Sequence, residues 1–130
     1  MPRSRSVLLV LALLVVSGTA RAEDMPRQLN GDLIRTEHEY CKTSTGYGQK
    51  FVVQRDVDGD GRRDVVLDYS EALCGGQHEP YCDAGGCLLK VFLGAGGGHR
   101  KAFEGRVRSW AVDDRGGRAR LLVDGRPLAY

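Results

Sequence analysis

Residues 56–64 read DVDGDGRRD and lie between two apolar runs, FVV at 51–53 and DVVL at 64–67. Asp56, Asp58, Asp60 and Asp64 repel one another unless something positive sits among them. A simple Asp-Gly turn asks for one carboxylate and leaves the other three unexplained. The flanks are β-forming: KFVVQRDV is rich in Val and Phe, and RDVVLDYS places Val65, Leu67 and Tyr69 on one face, Val66 and Asp68 on the other. The two runs therefore read as the arms of a hairpin with the aspartates in its loop. Numbered from Asp56, carboxylates fall at positions 1, 3, 5 and 9, Gly61 at position 6, and Arg62 at position 7, where a backbone carbonyl serves as ligand. Alternate side chains in a tight turn converge on one point, and an oxygen-rich cage of this kind suits a cation of calcium's size. Magnesium, which keeps its waters and takes few protein ligands, fits such a cage less well. Position 12 is Leu67, not the bidentate Glu of an EF-hand, so the loop chemistry sits on a β-hairpin. The expected metal set is Asp56, Asp58, Asp60, Arg62 through its main chain, and Asp64, with Ca²⁺ as the ion.

The start of the chain reads as a secretory signal peptide over residues 1–22. Arg3 and Arg5 precede an apolar run from Val7 to Val16, which is too short to span a bilayer, and Ala20-Arg21-Ala22 supplies a cleavage site. A single β domain over residues 23–130 is expected to remain. Of the 19 basic residues three precede the cleavage point, and none of the 17 acidic ones does, so the mature chain carries 16 against 17 and a net charge of −1. The basic character of the whole sequence belongs to the discarded segment, which removes the case for nucleic acid or an anionic membrane surface as partner. The Arg residues beyond position 99 alternate with apolar residues and read as a solvated strand face.

Cys41, Cys74, Cys82 and Cys87 all lie in the exported part, where two disulfides are the default. No C-x-x-C knuckle is present and an oxidising compartment works against free thiolates, which argues against zinc. Four cysteines allow three pairings. Cys82 with Cys87, across Gly85 and Gly86, and Cys41 with Cys74 are the preferred pair.

Elsewhere, DLIRTEHEYCK reads either as a short helix or as an entering strand, and a strand is favoured over 27–42. SEALCGGQHEPYCDAGGC at 70–87 shows no sustained period and is a loop that needs staples. LLKVFLG is a strand with Leu89, Val91 and Leu93 on one face. KAFEGRVRSWAV follows, with a bulge expected at Gly105, and RARLLV turns Ala119, Leu121 and Val123 inward before a hairpin at Asp124-Gly125 and a short edge strand. Short strands and Gly-rich turns predict an all-β or mainly β fold, an antiparallel meander.

DVDGDGRRDVVL, followed by VFLGAGGG and Phe103, resembles the FG-GAP and VCBS-type calcium-binding repeat: an Asp-rich DxDGDGxxD hairpin, an apolar strand, then a strand ending in Leu-Gly, a Gly-rich turn and an aromatic. The resemblance covers residues 51–103 and implies calcium on Asp56, Asp58, Asp60, Arg62 and Asp64. The repeat occurs once, in a chain too short for a ring of blades, so it implies one blade-like sheet closed by disulfides.

His38, His78 and His99 sit on unrelated polar segments, and no G-x-S-x-G turn places a serine for attack. The resulting expectation is a non-enzymatic binding or structural module, periplasmic or secreted, with an envelope or extracellular protein or glycan as partner. The alternatives are a small secreted hydrolase and an envelope-complex subunit or inhibitor. Tyr81, in the stapled loop, reads either as a partner contact or as a buried plug beneath the loop; Trp110 reads as a core residue, or as a second partner contact where alternation with Arg106 and Arg108 turns it outward.

Overall fold

The structure is a computed structural model that describes residues 25–130; the expected signal peptide at 1–22 lies outside the described residues. The fold is mainly β and antiparallel, as expected. After a 3-10 turn, Arg27–Leu29, comes the helix α1, Asn30–Tyr40. The strands are β1 (Thr45–Tyr47), β2 (Val52–Arg55), β3 (Asp64–Asp68), β4 (Ala72–Cys74), β5 (Cys82–Asp83), β6 (Gly86–Ala95), β7 (Gly98–Val107), β8 (Trp110–Asp113), β9 (Arg120–Val123) and β10 (Arg126–Pro127). A second 3-10 turn, Tyr69–Glu71, links β3 to β4.

The central sheet runs β2-β3-β6, with β5 and β7 both pairing with β6. Its register is set by the alternation the sequence carries. Val65, Leu67 and Tyr69 bury on one face with Phe51, Tyr81, Leu88 and Phe92. Val66 buries on the other with Val57, Leu89, Val91, Leu93, Val107 and Leu121. Strand β6 is therefore covered on both sides: α1 lies over one face, and the sheet β10-β9-β8 over the other. This explains its near-continuous apolar run, which a half-solvated strand would not need.

The strand favoured over 27–42 is a helix. Leu29, Leu33, Thr36 and Tyr40 recur at helical spacing, and Leu29, Asp32 and Thr36 are buried. The two polar members of that stripe are satisfied by Lys90 of β6, itself only 3% exposed, whose Nζ lies 2.7 Å from Asp32 Oδ1 and donates to Thr36 Oγ1 at 2.5 Å. Glu104 (3.0 Å from Lys90) and Lys101 (2.8 Å from Asp32) complete the cluster.

The bulge in β7 also differs from expectation. Val91 pairs with Phe103 but Phe92 pairs with Lys101, which leaves Ala102, not Gly105, as the extra residue. Downstream, the chain leaves β7 at Arg108-Ser109, whose N–H groups both donate to Asp124 Oδ1 (2.8 and 3.0 Å). Trp110 thus begins a different sheet, and the alternation from Arg106 does not reach it. Arg106 is no solvated face residue either: its guanidinium donates to the carbonyls of Tyr81 (2.8 Å) and Pro80 (3.0 Å) and pairs with Asp83.

Disulfides join Cys41 to Cys74 and Cys82 to Cys87, and no cysteine is free. The first ties the end of α1 to β4; the second bridges partners in the β5–β6 ladder. No helix among the described residues is long and apolar enough to cross a membrane.

Candidate metal centre

Strands β2 and β3 pair with Arg55 opposite Asp64, so residues 56–63 close the hairpin. Gly59 and Gly61 adopt φ of 80° and 81°, the left-handed region that a side chain resists. These reversals turn the loop back on itself, and one carboxylate oxygen from each of Asp56, Asp58, Asp60 and Asp64 comes within 4.8 Å of the others.

Backbone donors hold the carboxylates in place. Asp56 accepts from Gly59 N (2.7 Å) through Oδ1 and from Gly61 N (2.9 Å) through Oδ2. Asp58 Oδ1 accepts from Asp60 N (3.2 Å), and Asp60 Oδ1 from Arg62 N (2.8 Å). Asp64, fully buried, accepts from Val57 N and from Gly94 N, both at 2.8 Å, and so joins the loop to β6. Each carboxylate oxygen carries more than one lone pair, so these donors orient the groups while leaving acceptor capacity at the point of convergence.

The electrostatics are those of a crowd of like charges. Burial, reinforced by the charge of Asp64, pushes the Asp58 carboxyl up to about 6 against the opposing N–H of Asp60. Burial pushes Asp56 the same way, but the N–H groups of Gly61 and Gly59 outweigh it and hold its carboxyl below the usual range. An all-oxygen, anionic donor set of this size suits a hard cation, and it offers no soft ligand for zinc or copper.

Other residues, without any local signal in the sequence, support the loop. Arg118 Nε donates to the carbonyl of Asp58 (3.1 Å), and its side chain passes so close that a Cβ at Gly59 would meet Arg118 Cγ at 2.1 Å. Tyr130 OH donates to the carbonyl of Val57 (3.1 Å). Beside the carboxylates its own hydroxyl is pushed up to about 12, chiefly by burial.

The remaining expected site residues are dispersed. Tyr81 is fully buried in the cluster under α1, which makes it the plug of its two readings and not the partner contact: its hydroxyl lies 2.7 Å from Thr45 Oγ1 and its ring 5.0 Å from that of Tyr69. Trp110 belongs to the opposite cluster, half-buried, with Nε1 donating to Asp68 Oδ2 at 2.9 Å. Of the histidines, His99 meets Gln28 at 2.9 Å, and His38 and His78 are exposed. No protein-family model matches this chain, and no curated protein or solved structure matches it significantly.

Proposed function

We propose that the chain is an exported, calcium-stabilised binding or structural module, without catalytic activity of its own, whose DxDGDGxxD hairpin works as an FG-GAP/VCBS-type calcium loop. The observation that carries the reading is the convergence of Asp56, Asp58, Asp60 and Asp64 within 4.8 Å. Four carboxylates at that spacing destabilise an ion-free fold, and a cation removes the penalty. Calcium is the ion of this reading, with the carbonyl of Arg62 completing its ligands. The hairpin joins β2 to β3, so an ion there fastens an edge of the central sheet rather than opening a reaction site.

The two disulfides point to an oxidising compartment. Periplasm or extracellular space is the setting proposed, with an envelope or extracellular protein or glycan as the partner. Support for a non-catalytic role comes from the cysteines, all of them paired.

Thermal melts with calcium and with EDTA test the reading. Extracellular calcium modules bind at ~10⁻⁴ to 10⁻³ M, and calcium at about ten times its dissociation constant adds ~1.4 kcal/mol. For a domain of this size that raises the melting temperature by about 6 °C. Asp58→Ala and Asp60→Ala abolish the gain. A wild-type melting temperature that ignores both calcium and EDTA defeats the proposal.

A further inference from the structure

The sheet β10-β9-β8 is attached to the central sheet near both ends of β3. At the end where β3 closes, Trp110 Nε1 donates to the Asp68 carboxylate at 2.9 Å. At the end where β3 begins, the residues flanking β9 and β10 hold the metal loop itself. Arg118 Nε donates to the carbonyl of Asp58 and Tyr130 OH to that of Val57, both at 3.1 Å. The Val57 side chain is fully buried in one cluster with Leu121 and packs there against Val123 and Leu128. Gly59 completes the junction, since a Cβ there would stand 3.0 Å from the carbonyl oxygen of Ala119.

The residues gripped, 57–59, lie between the first and third of the converging carboxylates, and Asp58 is the second. The backbone that positions the expected ligands is therefore the backbone to which the small sheet is fastened. Like charges on Asp56, Asp58 and Asp60 press that backbone apart, and a cation draws it together. The junction also contains a void: a cavity of about 490 Å³ is lined by Asp58 on the loop side and by Arg118, Leu128 and Tyr130 on the other. Segments held over a void by a few exposed hydrogen bonds open locally well below the free energy of global unfolding.

We infer that the metal loop is a calcium-dependent latch for the small sheet. The bound ion holds residues 57–59 in the form that Arg118 and Tyr130 grip; its loss lets the latched end of the sheet open while the Trp110 end stays attached. The inference rests on the calcium reading above and adds to it what the ion regulates. An ion that binds the closed form alone, at about ten times its dissociation constant, lowers the open population about tenfold.

Amide hydrogen exchange read by mass spectrometry tests this, in calcium chloride and in EDTA, with the dissociation constant taken from calorimetric titration of the same protein. Residues 120–130 are expected to exchange about tenfold more slowly with calcium. Residues 45–47 and 72–74, which form the separate sheet β1-β4, are expected to exchange at the same rate in both. Arg118→Met combined with Tyr130→Phe keeps the aliphatic and aromatic packing and the expected ligands but removes both donors. That variant is expected to bind calcium and to lose the slowing over 120–130; Tyr130→Phe alone loses part of it. Calcium binding with unchanged exchange over 120–130 overturns the inference. So does slowing of equal size in β1, β4 and β9, which marks a general gain in stability, or a double variant that keeps the wild-type slowing. Those three results leave the calcium reading standing, whereas a titration that shows no calcium binding overturns both.

Discussion

Tyr81 shows how one residue's role is set by what folds over it. Its loop has no periodicity, is bounded by cysteines and contains Gly and Pro, the features of an exposed recognition segment. The ring instead closes the cluster beneath α1, with Tyr69 at 5.0 Å and Tyr40 at 6.1 Å. Arg106 reaches across from β7 to hold the backbone of Pro80 and Tyr81. Truncation removes a large buried side chain, and Tyr81→Ala is expected to cost about 3–5 kcal/mol in urea unfolding. Tyr81→Phe, which loses only the contact with Thr45, costs about 1 kcal/mol. Both losses should be the same with calcium and with EDTA, since Tyr81 lies outside the metal loop. A loss below about 1 kcal/mol in Tyr81→Ala returns the residue to the surface.

Among the elements, α1 was the hardest to read. Two of its inward positions are Asp32 and Thr36, so the apolar stripe that marks an amphipathic helix is broken in the sequence and mended in space by Lys90. The helix therefore docks partly through charge, and its stability follows pH. Burial pushes the Asp32 carboxyl up, but Lys101 and Lys90 outweigh burial and hold it below its usual value. Glu104 is lowered by the same two lysines, again against burial. A carboxyl whose pKa is depressed in the folded state stabilises fully above its unfolded value of ~4, and that stability is lost as pH falls through the folded value. Unfolding free energy is accordingly expected to decline below about pH 5. Asp32→Asn flattens that decline and, because Lys90 keeps Glu104 as a partner, costs about 1.5–3 kcal/mol at neutral pH. Urea titrations at a series of pH values check both; equal acid sensitivity in wild type and variant excludes Asp32 as a source of the decline.

For the whole molecule, the question is what keeps so short a chain folded across three layers. The long bridge, Cys41 to Cys74, closes a span of 33 residues and fastens the end of α1 to β4, which pairs with β1; the short one, Cys82 to Cys87, spans 5. Loop entropy assigns about 4 kcal/mol to the first and about 2 kcal/mol to the second. Paired Ala substitutions measured by urea unfolding should therefore separate the bridges in that order. A larger loss from the short bridge contradicts the entropic account.

Local patterning made the mainly β class, the hairpin arms at 51–55 and 64–69, the closing turn at Asp124-Gly125 and the aspartate loop legible. Each follows from the two-residue strand period or from turn chemistry, both of which act between near neighbours. The preferred cysteine pairing also agrees with the structure, although spacing alone left three possibilities open. The division of the strands into separate sheets depended on tertiary packing, as did the helix over 30–40, the bulge at Ala102 and the burial of Tyr81. So did the bracing of the metal loop by Gly94, Arg118 and Tyr130. The bracing contacts join partners 30 to 73 positions apart, as Gly94 is from Asp64 and Tyr130 from Val57. Contacts at that range leave no mark on local sequence, because any residue able to fill the space or donate the bond meets the requirement.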